Sequence, residues 1–127
     1  MTIQRETGSQ GEWIACGYLS SKGYSVIDRN FSRPFGEIDI VCISPDKTLV
    51  FFEIKTVRFS GRVMAEFTPE DHLTPSKLFR LRKICSFYAA AHPRLVLDSR
   101  GWRIDLLALT LSEKDCLVSH YPNIAWR

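Results

Sequence analysis

Residues 36–56 read GEIDIVCISPDKTLVFFEIKT. Two runs rich in Ile, Val and Phe, 37–43 and 48–55, flank the turn signal Pro45-Asp46 and predict a hairpin of two strands. Side chains alternate along a strand, so Glu37 shares a face with Asp39, and Glu53 with Lys55. One register satisfies the whole hairpin: opposed residue numbers sum to 92. Ile38 then meets Ile54, Ile40 meets Phe52 and Cys42 meets Val50 on one face. On the other, Val41 meets Phe51, Ile43 meets Leu49, Asp39 faces Glu53 and Glu37 faces Lys55. This register needs an odd-numbered loop, residues 44–48. A slip of one residue would separate the two acids onto opposite faces.

Directly opposed residues bring their Cβ atoms roughly 5 Å apart. Two ionised carboxylates at that distance repel by about 3 kcal/mol at an effective dielectric near 20. A divalent cation would offset that repulsion. Oxygen-only ligands, with no His or Cys nearby, select Mg²⁺ over zinc. Lys55 and arginines paired with the acids, or one acid held protonated, would offset it equally well.

Outward from the hairpin, residues 9–22 read as a helix with Ile14, Ala15, Tyr18 and Leu19 on one stripe and Gly23 as its C-terminal cap. Residues 24–31 predict a first strand. After the hairpin comes a long connection, residues 56–73, of the kind that carries function or moves. Thr74-Pro75 then opens a second helix, Thr as N-cap and Pro at the first helical position, reaching Ala91. Leu78, Leu81, Ile84, Cys85 and Tyr88 give it a core-facing stripe. Residues 102–111 and 116–121 read as two further strands. The expected fold is a single α/β domain over residues 1–127, a mixed β-sheet of four to five strands flanked by helices in the order α-β-β-β-α-β-β.

At 127 residues, 45% apolar and 24% charged, the chain is neither disordered nor fibrous and can bury a core without staples. No run approaches 18 apolar residues and residues 1–10 lack an apolar segment, which predicts a cytoplasmic protein with no membrane partner. Cys16, Cys42, Cys85 and Cys116 form no CxxC pair, and His72, His92 and His120 are equally scattered, which argues against zinc and for free thiols. The net charge of +3 is uneven: residues 1–54 balance at −2, residues 55–103 at +6 and residues 104–127 at −1. A basic middle suits a polyanionic partner; a solvated helix face explains it as well.

Asp39 followed by Glu53-Ile54-Lys55 resembles the motif of the PD-(D/E)XK, restriction-endonuclease-like nucleases. Here Ile38 stands where that name has Pro. More narrowly, the chain is similar to the YraN-type family of small bacterial proteins, distant relatives of Holliday-junction resolvases. The matching segments are Gly11-Glu12, Gly23-Tyr24, Arg29-Asn30, Gly36-Glu37-Ile38-Asp39, Phe52-Glu53-Ile54-Lys55-Thr56, Thr74-Pro75-Ser76-Lys77 with Arg80-Leu81, and Arg103-Ile104-Asp105. The resemblance implies a restriction-endonuclease-like sheet and a metal-dependent endonuclease that hydrolyses DNA phosphodiester bonds in branched or structured DNA. Asp39, Glu53 and the Ile54 carbonyl would hold Mg²⁺, with Mn²⁺ as a substitute. Lys55 would orient or deprotonate the attacking water, and Glu12 would supply a further acid. The products would carry 5′-phosphate and 3′-hydroxyl ends. The resolvase likeness also implies a homodimer, which no segment of the chain specifies.

Several residues have structural rivals to these roles. Ser9-x-x-Glu12 fits a capping box, with Glu12 reaching back to the helix start. Lys77 lies on the core-facing stripe in the helix's first turn, where the macrodipole disfavours a cation. A phosphate or carboxylate nearby would resolve that conflict, as would a lysine stem that merely covers apolar surface. Arg80 is expected to contact phosphate, and Arg58 and Arg62 to overhang the site from the long connection. His72 shares that connection but is too isolated to act as a base. Glu37 is expected to partner Lys55, and Arg103 to pair with Asp105. The competing function is a non-catalytic nucleic-acid-binding or adaptor module on the same fold.

Overall fold

The computed structural model describes residues 3–58 and 73–126. Within them five strands form one sheet in the order β1-β2-β3-β4-β5: β1 (Ser25–Arg33), β2 (Gly36–Ile43), β3 (Leu49–Arg58), β4 (Trp102–Leu111) and β5 (Cys116–Tyr121). Helix α1 (Ile3–Ser21) precedes β1, and α2 (Pro75–Ala91) lies between β3 and β4. Neighbours are antiparallel except β3 and β4, which run parallel from Leu49↔Trp102 to Arg58↔Leu111. A parallel pair needs a crossover, and α2 sits in it. The expected element order is the observed one. No helix among the described residues is long and apolar enough to cross a membrane.

Alternation sorts the sheet's side chains onto two faces, each covered by one helix. Ala15 and Leu19 of α1 pack with Ile40, Cys42, Val50, Phe52, Leu107 and Leu109. Leu81, Ile84, Cys85 and Tyr88 of α2 pack with Val41, Leu49, Phe51, Ile104 and Leu106. Each fully buried Leu, Ile or Phe of this kind contributes about 1.5–3 kcal/mol. All four cysteines are free thiols.

Both helices end where local chemistry dictates, with one exception to expectation. Gly23 takes φ 88, and its amide and that of Tyr24 donate to the Ser20 and Leu19 carbonyls at 3.1 and 3.0 Å, closing α1. Thr74 caps α2: its hydroxyl accepts the Lys77 amide at 3.2 Å, and Pro75 fills the first helical position. The exception is the start of α1, which lies at Ile3 rather than at residue 9. Ser9 is therefore inside the helix, and the capping-box reading of Glu12 falls.

The β2–β3 hairpin keeps the expected register from Ile43↔Leu49 through Cys42↔Val50 and Val41↔Phe51 to Ile40↔Phe52. Its turn is closed by the Ser44 amide donating to the Thr48 carbonyl at 2.9 Å and the Thr48 amide to Ser44 Oγ at 3.0 Å. Beyond Ile40 expectation and structure part. Ile38 packs with α2 although Ile40, two residues on, packs beneath α1. The pairs Arg29↔Ile40 and Phe31↔Ile38 bracket Asn30 and Asp39, and Asn30 takes φ 53, a left-handed backbone that Asn tolerates. Both strands roll over at this level. The expected Ile38–Ile54 contact is thereby split, since Ile54 stays on the α1 side.

Candidate functional site

The end of the hairpin ladder makes the site. Past Ile40↔Phe52 the rungs stop, and Asp39 Oδ2 accepts the Ile54 amide at 2.8 Å. A carboxylate thus satisfies the backbone donor that the missing rung leaves, and is held at the fork between β2 and β3. Glu53 stands next to it, largely buried, and accepts no hydrogen bond among the described residues. The expected acid pair is therefore present, brought together by a fork rather than by a continuous ladder.

The two acids feel burial and each other. Burial pushes the Asp39 carboxyl up to about 6; the Ile54 amide pulls against this, Glu12 and Glu37 add to the rise, and Lys77 opposes it. Burial pushes Glu53 up to about 8; Asp39 adds to the rise, Lys77 opposes it, Glu37 adds and Lys55 opposes. One charge cluster therefore gathers Glu12 from α1, Glu37 and Asp39 from β2, Glu53 and Lys55 from β3, and Lys77 from α2.

Gly11 explains how α1 delivers Glu12. A Cβ on Gly11 would lie 2.1 Å from Thr56 Oγ1 and 3.1 Å from Thr56 Cβ. Its bare backbone lets α1 rest on β3 one residue past Lys55, so the next side chain reaches the fork. There Glu12 forms an ion pair of 3.8 Å with Arg29, which β1 presents opposite Ile40.

Beside Glu53 opens a cleft of about 570 Å³ between the β1–β2 turn and α2, walled by Arg33, Pro34 and Phe35 on one side and Leu73, Lys77 and Arg80 on the other. Lys77 is exposed rather than core-facing, and its head joins Glu53 at this cleft. Arg80 lines the cleft as well. Arg58 does not: its Nη2 donates to Gln10 Oε1 on α1 at 3.1 Å. Arg62 and His72 lie outside the described residues.

Glu37 does not pair with Lys55 among the described residues; the ladder that would have opposed them has ended, and Glu37 instead faces Ser32 across β1. Arg103 does pair with Asp105, Nε to Oδ1 at 3.1 Å. The fully buried Asp105 also takes His120 Nε2 at 2.7 Å and the Asn123 amide at 2.9 Å. With both oxygens engaged it anchors β4 to β5 and the chain beyond, rather than offering a ligand.

Sequence reasoning missed Arg29 as the partner of Glu12, and Arg33 with its turn as a wall of the cleft. Arg29 was legible in principle, since β1 pairs with β2 and alternation puts Arg29 on the face of Ile40. Arg33-Pro34-Phe35-Gly36 carried only a turn signal; its position over α2 follows from the rolled strands. No group of three or more His, Cys, Asp or Glu side chains gathers around one point among the described residues. Glu12 thus acts on Asp39 through charge and, among the described residues, does not complete a three-acid cage.

The family model described as "Uncharacterised protein family UPF0102" matches residues 11–109, from the glycine under Thr56 to near the end of β4. A UPF0102 protein of Syntrophomonas wolfei is 34% identical over 121 residues, covering 95% of this chain and 98% of the relative. One from Alkaliphilus oremlandii is 35% identical with the same coverage. One from Bifidobacterium longum is 32% identical over 94% of this chain and 92% of its own length.

Proposed function

The chain belongs to the UPF0102 family, the YraN type, and from that premise and the acid pair at the fork we propose that it is a Mg²⁺-dependent endonuclease hydrolysing phosphodiester bonds of branched or structured DNA. The observation that carries this reading is the carboxyl pair itself: Asp39, held at the fork by the Ile54 amide, acts on the half-buried Glu53 beside it, with Lys55 two residues on. Folding a repulsive pair into a poorly hydrated fork is costly unless a cation completes it or one acid keeps its proton, and a cation would displace that proton. The restriction-endonuclease-like arrangement of the elements supports the same reading.

The donor set fits the ion. Asp39, Glu53 and the Ile54 carbonyl offer oxygen only, the ligand type of Mg²⁺, which keeps several waters and takes phosphate oxygens from a substrate. When bound, the ion supplies charge to a phosphoryl oxygen and acidity to a water. The chain's own residues do the rest. The Ile54 amide fixes the Asp39 carboxylate in place. The Lys55 ammonium orients the attacking water and stabilises charge developing on phosphate. Lys77 and Arg80 grip the phosphate from α2, and Glu12, tied to Arg29, keeps the fork negative. The products carry 5′-phosphate and 3′-hydroxyl ends. Mn²⁺ substitutes for Mg²⁺, and the resolvase likeness brings with it a homodimer in the cytoplasm, measurable by sedimentation of the free protein.

The test is cleavage of a labelled four-way junction and of supercoiled plasmid with Mg²⁺ or Mn²⁺. Asp39→Asn and Glu53→Gln are each expected to abolish it with the circular dichroism spectrum intact. Cleavage surviving both substitutions removes the mechanism. Salt-sensitive DNA binding that ignores metal and Glu53→Gln, without any cleavage, replaces it with the adaptor module.

A further inference from the structure

The cleft beside Glu53 is larger than a single phosphate requires, and apolar side chains stand among the cations on both of its walls. Its volume of about 570 Å³ falls within the ~300–1,000 Å³ of small-molecule sites. Arg33, Lys77 and Arg80 place three cations on its walls, while Pro34, Phe35 and Leu73 supply apolar surface and Glu37 a hydrogen-bond acceptor. That is the chemistry of a nucleotide: phosphates for the cations, a flat face for the apolar wall, exocyclic amino groups for the acid.

The wall is built before any ligand arrives. The Phe35 ring meets Phe87 of α2 edge-on at 5.3 Å, and Lys83 lies over Phe35 at 5.6 Å. The Arg33 guanidinium stacks 4.3 Å above the Phe31 ring, and its Nη1 donates to the Ser32 carbonyl at 2.7 Å. Gly36 closes the turn against α2, where a Cβ would already touch Ile84 at 3.4 Å. A stacked, weakly hydrated guanidinium on a fixed turn is well suited to phosphate.

We propose that this cleft seats one unpaired nucleotide of the substrate strand, next to the phosphate presented to Asp39 and Glu53. A base inside a duplex has its faces covered by the stack and its edge by its partner, so entering a recess breaks both sets of contacts; an unpaired base escapes most of that cost. The substrate class is therefore nucleic acid with an unpaired nucleotide beside the scissile bond: a bulge, a flap or a junction arm. The inference takes its orientation from the endonuclease reading, but binding tests it alone.

The experiment is fluorescence anisotropy in EDTA with two labelled duplexes, one fully paired and one carrying a single-nucleotide bulge. Wild type is expected to bind the bulged duplex about tenfold or more tighter, the equivalent of at least ~1.4 kcal/mol of avoided unstacking. Ser32→Leu, at an exposed position lining the cleft, and Arg33→Glu are each expected to bring the ratio close to one while the circular dichroism spectrum stays that of the folded protein. Equal binding of the two duplexes by wild type, or a ratio that survives both substitutions, overturns the proposal. Cleavage with Mg²⁺ is scored separately. Paired and bulged DNA cut alike and bound alike would leave the endonuclease and remove the nucleotide seat. Selective binding without cleavage would keep the seat and remove the endonuclease.

Discussion

Asp39 and Ile54 are joined side chain to backbone at 2.8 Å, just beyond the last rung of the β2–β3 ladder. The bond does two jobs at once. It satisfies an amide that the parting strands would strand, and it fixes the Asp39 carboxylate where its charge acts on Glu53.

These two jobs are separable by substitution. Asp39→Asn keeps a carbonyl oxygen for the Ile54 amide, so stability at pH 8 should equal or exceed that of wild type while cleavage is lost. Asp39→Ala removes the acceptor and should cost about 1–3 kcal/mol as well. Urea midpoints of the two variants decide it; equal stability would mean that the amide finds another partner.

Acid strength gives a pH signature. Asp39 and Glu53 are raised to about 6 and about 8 in the folded chain, against ~3.9 and ~4.3 in an unfolded one. The native state therefore binds more protons between those limits. The stability these groups contribute is complete below about pH 4 and drains away as pH rises through about 6 and then about 8. Metal-free protein should show a falling urea midpoint from pH 5 to pH 8.5, Glu53→Gln should flatten the fall, and millimolar Mg²⁺ should recover stability at the alkaline end. A midpoint that climbs across this interval would falsify the description of the acids as a buried, repulsive pair.

Two glycines of α1 should respond oppositely to alanine. A methyl placed on Gly17 would meet nothing within 4 Å, so Gly17→Ala should stabilise by up to about 1 kcal/mol through helix propensity alone. Gly11→Ala would drive its methyl into Thr56, and overpacking of that kind costs about 1–3 kcal/mol. It should also lower cleavage by moving Glu12 off the fork, and Thr56→Ala, which removes the hydroxyl that the new methyl would strike, should restore part of both losses.

For the cations of α2 the readout is salt. Each of Lys77→Ala and Arg80→Ala should make the slope of log affinity against log salt shallower by about 0.9, the value for one lost phosphate contact on duplex DNA. Arg58→Ala, which loses a contact to Gln10 on α1 instead, should change the slope less than either. Three identical slopes would place the DNA path elsewhere.

Much of this was legible in the chain itself. Alternating Ile, Val and Phe around Pro45-Asp46 fixed the register from Ile43↔Leu49 to Ile40↔Phe52, because any slip would have buried charge. Gly23 and Thr74-Pro75 marked helix ends through backbone geometry that few other residues satisfy. Spacing put Asp39 near Glu53 and Lys55 on one face of the hairpin; their grouping as a candidate site came from the resemblance to the PD-(D/E)XK motif. Those are local properties, decided by neighbours a few residues away or directly across one hairpin.

Tertiary structure decided what local pattern could not. Alternation placed Ile38 with Ile40, yet the roll at Asn30 and Asp39 sends them to opposite helices, since each strand follows the twist of its neighbour as well as its own period. The same roll ends the ladder before Asp39, keeps Glu37 from Lys55 and swings the Arg33–Gly36 turn over α2 to make a cleft. Helix α1 begins six residues earlier than its apolar stripe announces, at Ile3 instead of residue 9, and Arg29 claims Glu12 from a different strand. Period and propensity specify which residues form strands and helices; where two strands stop pairing depends on the packing of both helices at once, and the acid pair sits at that point.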